Sequence, residues 1–292
     1  MTVTRRRAIA LAASMLTLPN CASSSRLRVG SKNFTESIVI AEIYAQALEA
    51  AKFSVERRFN LGSTAIALAA MQRGGIDIYP EYTGTALIDV LHAAPVTDPR
   101  RAYEIVRSAF AHSYGIDWLD PSPMNDSQGL VTTAAIAGRY HLRTLSDLAR
   151  VASKLRLATI PEFLSRPDGL PGLQRVYGGF TFASVKTYDI ALKYQALLSG
   201  DADVATAFTT DGALAANHLV VLADDKHLWP PYNVAPLLRS GLRASDPRIA
   251  PILNAISPHL TNAAAQSMNA AVENDKAEPA TVASAFLKSI SK

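Results

Sequence analysis

The chain has 292 residues, 49% of them hydrophobic and 18% charged. That balance supports a large core in one or two domains and excludes an intrinsically disordered chain. The net charge is +4, but Arg5, Arg6 and Arg7 supply three of those charges with no acid before residue 21, so +1 remains once they are set aside. No stripe of Arg and Lys with interleaved aromatics follows, so the basic balance gives no ground for a nucleic-acid partner.

Residues 1–21 read as an export signal. Arg5-Arg6-Arg7 is a positive n-region, and Ala8 to Leu18 is an apolar run too short to remain as a membrane span. Thr4-Arg5-Arg6 also resembles the start of a twin-arginine signal, although the rest of that pattern is incomplete. Cys21 is the single cysteine, which excludes disulfides and cysteine metal sites. Two readings of it stand. Leu18-Pro19-Asn20-Cys21 resembles a lipobox, which would make Cys21 a lipidation site, although Asn20 stands where a small residue is expected. Otherwise Cys21 merely lies beside an ordinary cleavage site.

From residue 27 short apolar runs alternate with helical periods, the pattern of parallel α/β sheets. Leu27–Val29 is predicted as a strand. Asn33-Phe34-Thr35-Glu36 reads as a capping box opening a helix to about Ala51. Strands are expected at 55–60 and 76–78, with a helix between them that Ser63 caps and Gly74-Gly75 ends. Further helices are expected near 99–112 and from 144, where Thr144-Leu145-Ser146-Asp147 is a second capping box. A strand is expected near 129–133, and the tail over 246–290 reads as mostly helical.

One segment occurs twice. Gln72-Arg73-Gly74-Gly75-Ile76-Asp77-Ile78 and Leu198-Ser199-Gly200-Asp201-Ala202-Asp203-Val204 align at a constant offset, which also pairs Tyr82 with Phe208 and Thr83 with Thr209. Two such units imply two similar lobes, each offering an aromatic at the carboxyl edge of a strand, where open α/β sheets bind ligands.

Several stretches carry chemistry. Gly30-Ser31-Lys32-Asn33 is either an anion site at a helix start or a plain strand–helix turn. Tyr79-Pro80-Glu81-Tyr82-Thr83-Gly84-Thr85, expected just past a strand, offers aromatic faces to a cation or else packs at the core edge. Trp229-Pro230-Pro231-Tyr232 is a rigid turn that presents aromatics. The six His have no HxxxH or HxH spacing, and there is no GxSxG, P-loop or GxGxxG motif. No metal, no cofactor and no catalytic residue is therefore expected.

Val29-Gly30-Ser31-Lys32-Asn33-Phe34-Thr35-Glu36 resembles the opening of the glycine betaine/choline/carnitine (osmoprotectant) substrate-binding proteins of ABC importers. Asn60-Leu61-Gly62-Ser63-Thr64, Asp77 to Thr85, Arg166-Pro167-Asp168-Gly169-Leu170-Pro171-Gly172-Leu173, Tyr194-Gln195-Ala196-Leu197, Thr210-Asp211-Gly212 and Asp224-Asp225-Lys226-His227 extend the likeness over 27–292. The branch it most resembles is the Gram-negative osmoprotectant-uptake type. The resemblance implies an α/β, two-lobed periplasmic binding protein of type II, with two chain crossovers and a cleft between lobes. Lobe 1 would take 27–124 and 230–292, and lobe 2 would take 125–229. It implies a periplasmic monomer, not an enzyme, that passes a small zwitterionic or cationic solute to permease and ATPase subunits; its one contact with the membrane would be a lipid at Cys21, on the lipobox reading above.

Matched to the family, Lys32, Thr85 and Arg166 fall at positions that hold a solute carboxylate, and Tyr82 and Tyr232 at positions of an aromatic cage for a trimethylammonium head. Two cage tyrosines are replaced, by Gln128 after Asn125-Asp126-Ser127 and by Phe208. Phe208 keeps the π face, Gln128 loses it, and Asp126 is placed to face a cation. Receptors for another amine, amino acid or betaine derivative remain alternatives, as do a periplasmic enzyme and a ligand-sensing protein on the same fold.

Overall fold

The computed structural model describes residues 26–190 and 192–291. The first part of the chain forms β1 (Leu27–Gly30), α1 (Thr35–Ala50), β2 (Val55–Arg58), α2 (Thr64–Gln72), β3 (Ile78–Tyr82), α3 (Pro99–Tyr114) and β4 (Asp117–Trp118). The middle forms β5 (Gln128–Thr132), β6 (Arg156–Thr159), α4 (Leu170–Tyr177), β7 (Ser184–Thr187), α5 (Leu192–Leu198), β8 (Val204–Phe208) and β9 (Val220–Val221). The end supplies β10 (Val234–Leu238), α6 (Asn262–Glu273) and α7 (Pro279–Ile290).

These strands make two five-stranded sheets, ordered β2-β1-β3-β10-β4 and β7-β6-β8-β5-β9. In each, the first three strands run parallel and the fourth is antiparallel to the third. The chain leaves the first sheet after β4, builds the whole second sheet, and returns to place β10 beside β3. Helix α1 carries Ile40, Ile43, Tyr44 and Leu48 with no exposed surface, against α6 and α7. Burying each such side chain stabilises by about 1.5–3 kcal/mol.

The two sheets are wired alike. Arg28 on β1 donates its backbone N–H, Nε and Nη2 to Asp77, each at 2.9 Å. Arg156 on β6 makes the same three bonds to Asp203, again at 2.9 Å. Each Asp sits at the end of the repeated Gly-containing segment, so the internal echo in the sequence corresponds to a repeated strand-to-strand clasp. The two arginines that complete it lie outside the echo.

Three local expectations are corrected. The third strand runs Ile78–Tyr82 rather than 76–78, so Tyr79-Pro80-Glu81-Tyr82 is the strand and not the loop beyond it. Pro80 argued against a strand, because proline has no N–H for the ladder. It is accommodated on the β10 side because Pro80 and Pro236 face each other as a non-hydrogen-bonded pair: the Pro236 carbonyl turns away to Leu119 N–H, so neither proline is asked for an N–H by the other. Neither Phe34 nor Ser63, the residues that precede α1 and α2, caps its helix with a side chain. Glu36 faces the interior instead of closing a capping box. The capping box at Thr144 and Asp147 does form.

The two clasps differ in setting. Asp77 is 3% exposed and also accepts from Arg239 Nε at 2.8 Å, whereas Arg156 is an exposed partner for Asp203. Asp77→Ala is expected to cost about 2 kcal/mol, and Asp203→Ala clearly less, because Arg156 returns to water. Urea unfolding midpoints of the two variants check the order.

Candidate functional site: a cleft between the sheets

A cavity of about 900 Å³ opens where the carboxyl ends of the parallel strands of both sheets meet. Lys32 follows β1, Tyr82 ends β3, Ile160 follows β6, Tyr188 follows β7 and Phe208 ends β8. Gln128 opens the antiparallel strand β5, so it reaches the same edge. All eight side chains singled out from the sequence line this one cavity: Lys32, Tyr82, Thr85 and Tyr232 with Asp126, Gln128, Arg166 and Phe208. They come from segments up to 200 positions apart, between Lys32 and Tyr232.

The segments that carry the chain between sheets run side by side through an antiparallel bridge, Asn125 to Asn233. Thr83 and Thr209, paired in the sequence echo, fasten one each. Thr83 Oγ1 donates to the Pro231 carbonyl and accepts from Asn233 N–H, both at 3.0 Å. Thr209 Oγ1 donates to the Asn125 carbonyl at 2.8 Å and accepts from Ser127 N–H at 2.9 Å.

The basic groups of the cleft are already partnered. Lys32 Nζ donates to Glu81 Oε1 at 2.7 Å and to Thr64 Oγ1 at 3.2 Å. It also lies 4.6 Å from the ring centre of Tyr82. Arg166 engages Asp168 two-pronged, Nε to Oδ1 at 2.9 Å and Nη2 to Oδ2 at 2.8 Å. Its Nη1 donates to Asp89. Burial works against the Arg166 charge, but the hydrogen bonds and charge of Asp168 outweigh it and raise the pKa.

Asp168 is 1% exposed and was not singled out from the sequence. Besides Arg166 it accepts from the Tyr232 hydroxyl and from Gln128 Nε2, the latter at 2.9 Å. Its backbone carbonyl accepts Trp229 Nε1 at 2.8 Å. Burial alone would raise the Asp168 pKa, yet Arg166, Tyr232 and Gln128 hold it below the usual carboxylate range. Gly169 makes the turn that presents it. A Cβ there would lie 2.1 Å from the Phe163 carbonyl oxygen. Gly84 plays the same part under Tyr232, where a Cβ would lie 2.5 Å from the ring.

The aromatic wall is Phe34, Tyr82, Phe208 and Tyr232, with Tyr188 and Tyr114 further along it. Phe34 and Tyr82 lie 6.0 Å apart, centre to centre. Behind the wall is a pair of buried acids. Glu36 accepts from the Tyr82 hydroxyl at 2.7 Å and from Asn269 Nδ2 at 3.0 Å. Asp126 accepts from the Thr210 hydroxyl at 2.6 Å. Burial pushes both carboxyl groups upward, and each is near other acids, which adds to the rise. Glu36 was visible in the sequence only as a capping residue, and nothing in the pattern around Asp89 marked it.

The raised acids have a sign-defined consequence for stability. The folded protein keeps protons that the unfolded chain releases near pH 4, so stability falls as pH rises from the ordinary carboxylate pKa through the raised values. Each retained proton contributes a slope of at most about 1.4 kcal/mol per pH unit. Urea midpoints of the wild type are expected to fall as pH rises above the ordinary carboxylate range, and Asp126→Asn to flatten the fall. A wild-type midpoint that does not fall, or an equal fall in the variant, sinks this account.

Two similarly wired α/β sheets, joined by two strand-like crossings over a ligand-sized cleft, define a solute-binding protein of the periplasmic-binding-protein fold. Residues 25–289 match the family described as the substrate-binding domain of ABC-type glycine betaine transport systems. A glycine-betaine-binding protein of Pseudomonas aeruginosa is 34% identical over 97% of this chain and 93% of its own length. The carnitine transport binding protein OpuCC of Listeria monocytogenes is 29% identical, covering 94% of this chain and 91% of the relative. The crystal structure of a glycine betaine/carnitine/choline ABC transporter protein superposes with a TM-score of 0.78 at 31% identity, over 90% of this chain and 98% of that one. The chain belongs to this family of ABC-transporter substrate-binding proteins, and its relatives are binding proteins rather than enzymes.

Proposed function

We propose that this chain is the extracytoplasmic component of an ABC importer, and that it captures a quaternary-ammonium or betaine-type osmoprotectant by closing its two lobes on the solute. The observation that carries this reading is the cleft: an aromatic wall from both sheets, backed by buried acids, in a chain whose relatives bind such solutes. A desolvated cation is drawn to aromatic faces and to nearby carboxylates. Tyr82, Phe208 and Tyr232 form the cage for the head group, with Asp126 offering a carboxyl group where Gln128 has replaced an aromatic. Lys32, Thr85 and Arg166 supply the polar contacts to the solute, Lys32 from beside the Tyr82 ring and Arg166 from beside Tyr232.

The lobes are 27–124 with 230–292, and 125–229. The division is supported by the membership of the two sheets and by the crossings at 125 and 233. Closure would bend the segments that Thr83 and Thr209 hold. The permease and ATPase subunits of the importer are its partners, and the protein acts as a monomer.

Calorimetric titration of the ligand-free protein with glycine betaine, choline, carnitine and proline betaine tests the reading. Tight binding of at least one is expected. Phe208→Ala should weaken that solute by about two- to thirtyfold, the range of one lost cation–π contact. Binding of none, with an amino acid bound instead, would keep the transport fold and remove the quaternary-ammonium assignment.

We further propose export through the leader over 1–21, with Cys21 as a lipidated anchor in the periplasm. Cys21 lies outside the described residues, and the reading is supported by its place directly after the apolar run. Fatty-acid labelling of the expressed protein is expected, and Cys21→Ser should abolish it. Unlabelled wild-type protein would leave only an ordinary cleavage site.

A further inference from the structure

The cleft has an excess of acid. Of its ionisable walls, Lys32 and Arg166 are basic, while Glu36, Asp89, Asp126, Glu162 and Asp189 are acidic. Neither base is free. Lys32 is neutralised by Glu81, which is fully buried. Two of the three nitrogens of Arg166 are held by Asp168, also buried. The remaining nitrogen, Nη1, points across the cleft to Asp89, which comes from the chain segment just after β3. Asp89 and Arg166 are each partly exposed to the cavity, at 25% and 20% of their side-chain surfaces. The guanidinium therefore carries two carboxylates before any solute arrives.

A zwitterionic solute brings a third. To reach Arg166 its carboxylate must displace Asp89 or settle beside it, against a like charge at contact distance. A monocation with the same head and a neutral hydroxyl tail meets no such opponent, and its tail can hydrogen-bond to Asp89 directly. Glu162 and Asp189 are exposed where they border the cavity, and acids in that position draw cations inward.

We infer that the cleft selects net-cationic quaternary ammonium solutes over zwitterionic betaines, and that Asp89 is the specificity-determining residue, an internal carboxylate seated on Arg166. This rests on the quaternary-ammonium reading above and narrows it.

The test compares choline with glycine betaine, which share a trimethylammonium head and differ in a hydroxyl against a carboxylate. Calorimetry on the wild type is expected to show choline bound at least about tenfold more tightly. Asp89→Asn should lower the choline-to-betaine ratio by about tenfold or more, and Asp89→Glu, which restores the carboxylate, should recover the preference. A structural role alone would weaken both solutes together and leave the ratio unmoved. Equal or tighter binding of glycine betaine by the wild type overturns the inference without any variant. So does a ratio that Asp89→Asn leaves unchanged. If the wild type binds neither solute nor any other quaternary ammonium compound, the functional reading itself falls, and that result is distinct from a lost preference.

Discussion

A carboxylate buried to 1% exposure is stable in a protein only when its oxygens are filled with donors, because an unpaired buried charge is strongly destabilising. Asp168 meets that condition with Arg166, Gln128 and Tyr232, and the need to meet it organises the floor of the cleft. Gln128 opens a strand of the second sheet, Arg166 lies on the loop beyond another, and Tyr232 lies on the crossing back to the first sheet. One carboxylate thus fixes the orientation of three cleft residues that are far apart in the chain. The Asp168 carbonyl adds the indole of Trp229 and ties the same crossing down. Gly169 is needed for this arrangement, since any side chain there would strike the Phe163 carbonyl.

The two sheets share a plan, yet the cleft they form is asymmetric. The arginine–aspartate clasps set the correspondence: Arg28 with Arg156 and Asp77 with Asp203. Four residues beyond each, the first sheet carries Lys32 and Glu81, an ion pair at 2.7 Å, while the second carries Ile160 and Ala207. The aromatic at the next position is kept on both sides, as Tyr82 and Phe208. The backbone scaffold has been repeated, but the ion pair at these two equivalent positions is present in the first sheet only. A solute held between them therefore meets π surface from both lobes but a different polar environment from each.

The buried pair Glu36 and Asp126 adds a second electrostatic layer behind the aromatic wall. Burial and mutual repulsion raise the pKa of both carboxyl groups. The ion pairs of Arg166 and Lys32 are formed in advance. The cleft's own bases are thus neutralised within the protein.

Much of this was legible in the sequence, for definable reasons. Alternation of short apolar runs with helical periods fixes an α/β chain, because strand and helix bury different faces at different spacings. The repeated Gly-and-Asp segment pointed to two lobes, and the eight candidate residues came from matching local motifs, and departures from them, to the family. What lay beyond the sequence is what depends on pairing across distance. Pro80 concealed the extent of β3 until Pro236 was seen opposite it. Glu36 read as a cap, because a carboxylate three residues after Asn33 gives no sign of turning inward to Tyr82. Asp168 stood inside a quoted motif but with no role assigned to it, and Asp89 lay in no motif. Their roles arise from Arg166, which reaches both at once only after the chain has crossed between sheets. Residue type and spacing determine which groups are present at the strand ends. Only the tertiary fold decides which charges cancel, and so what charge is left for the solute.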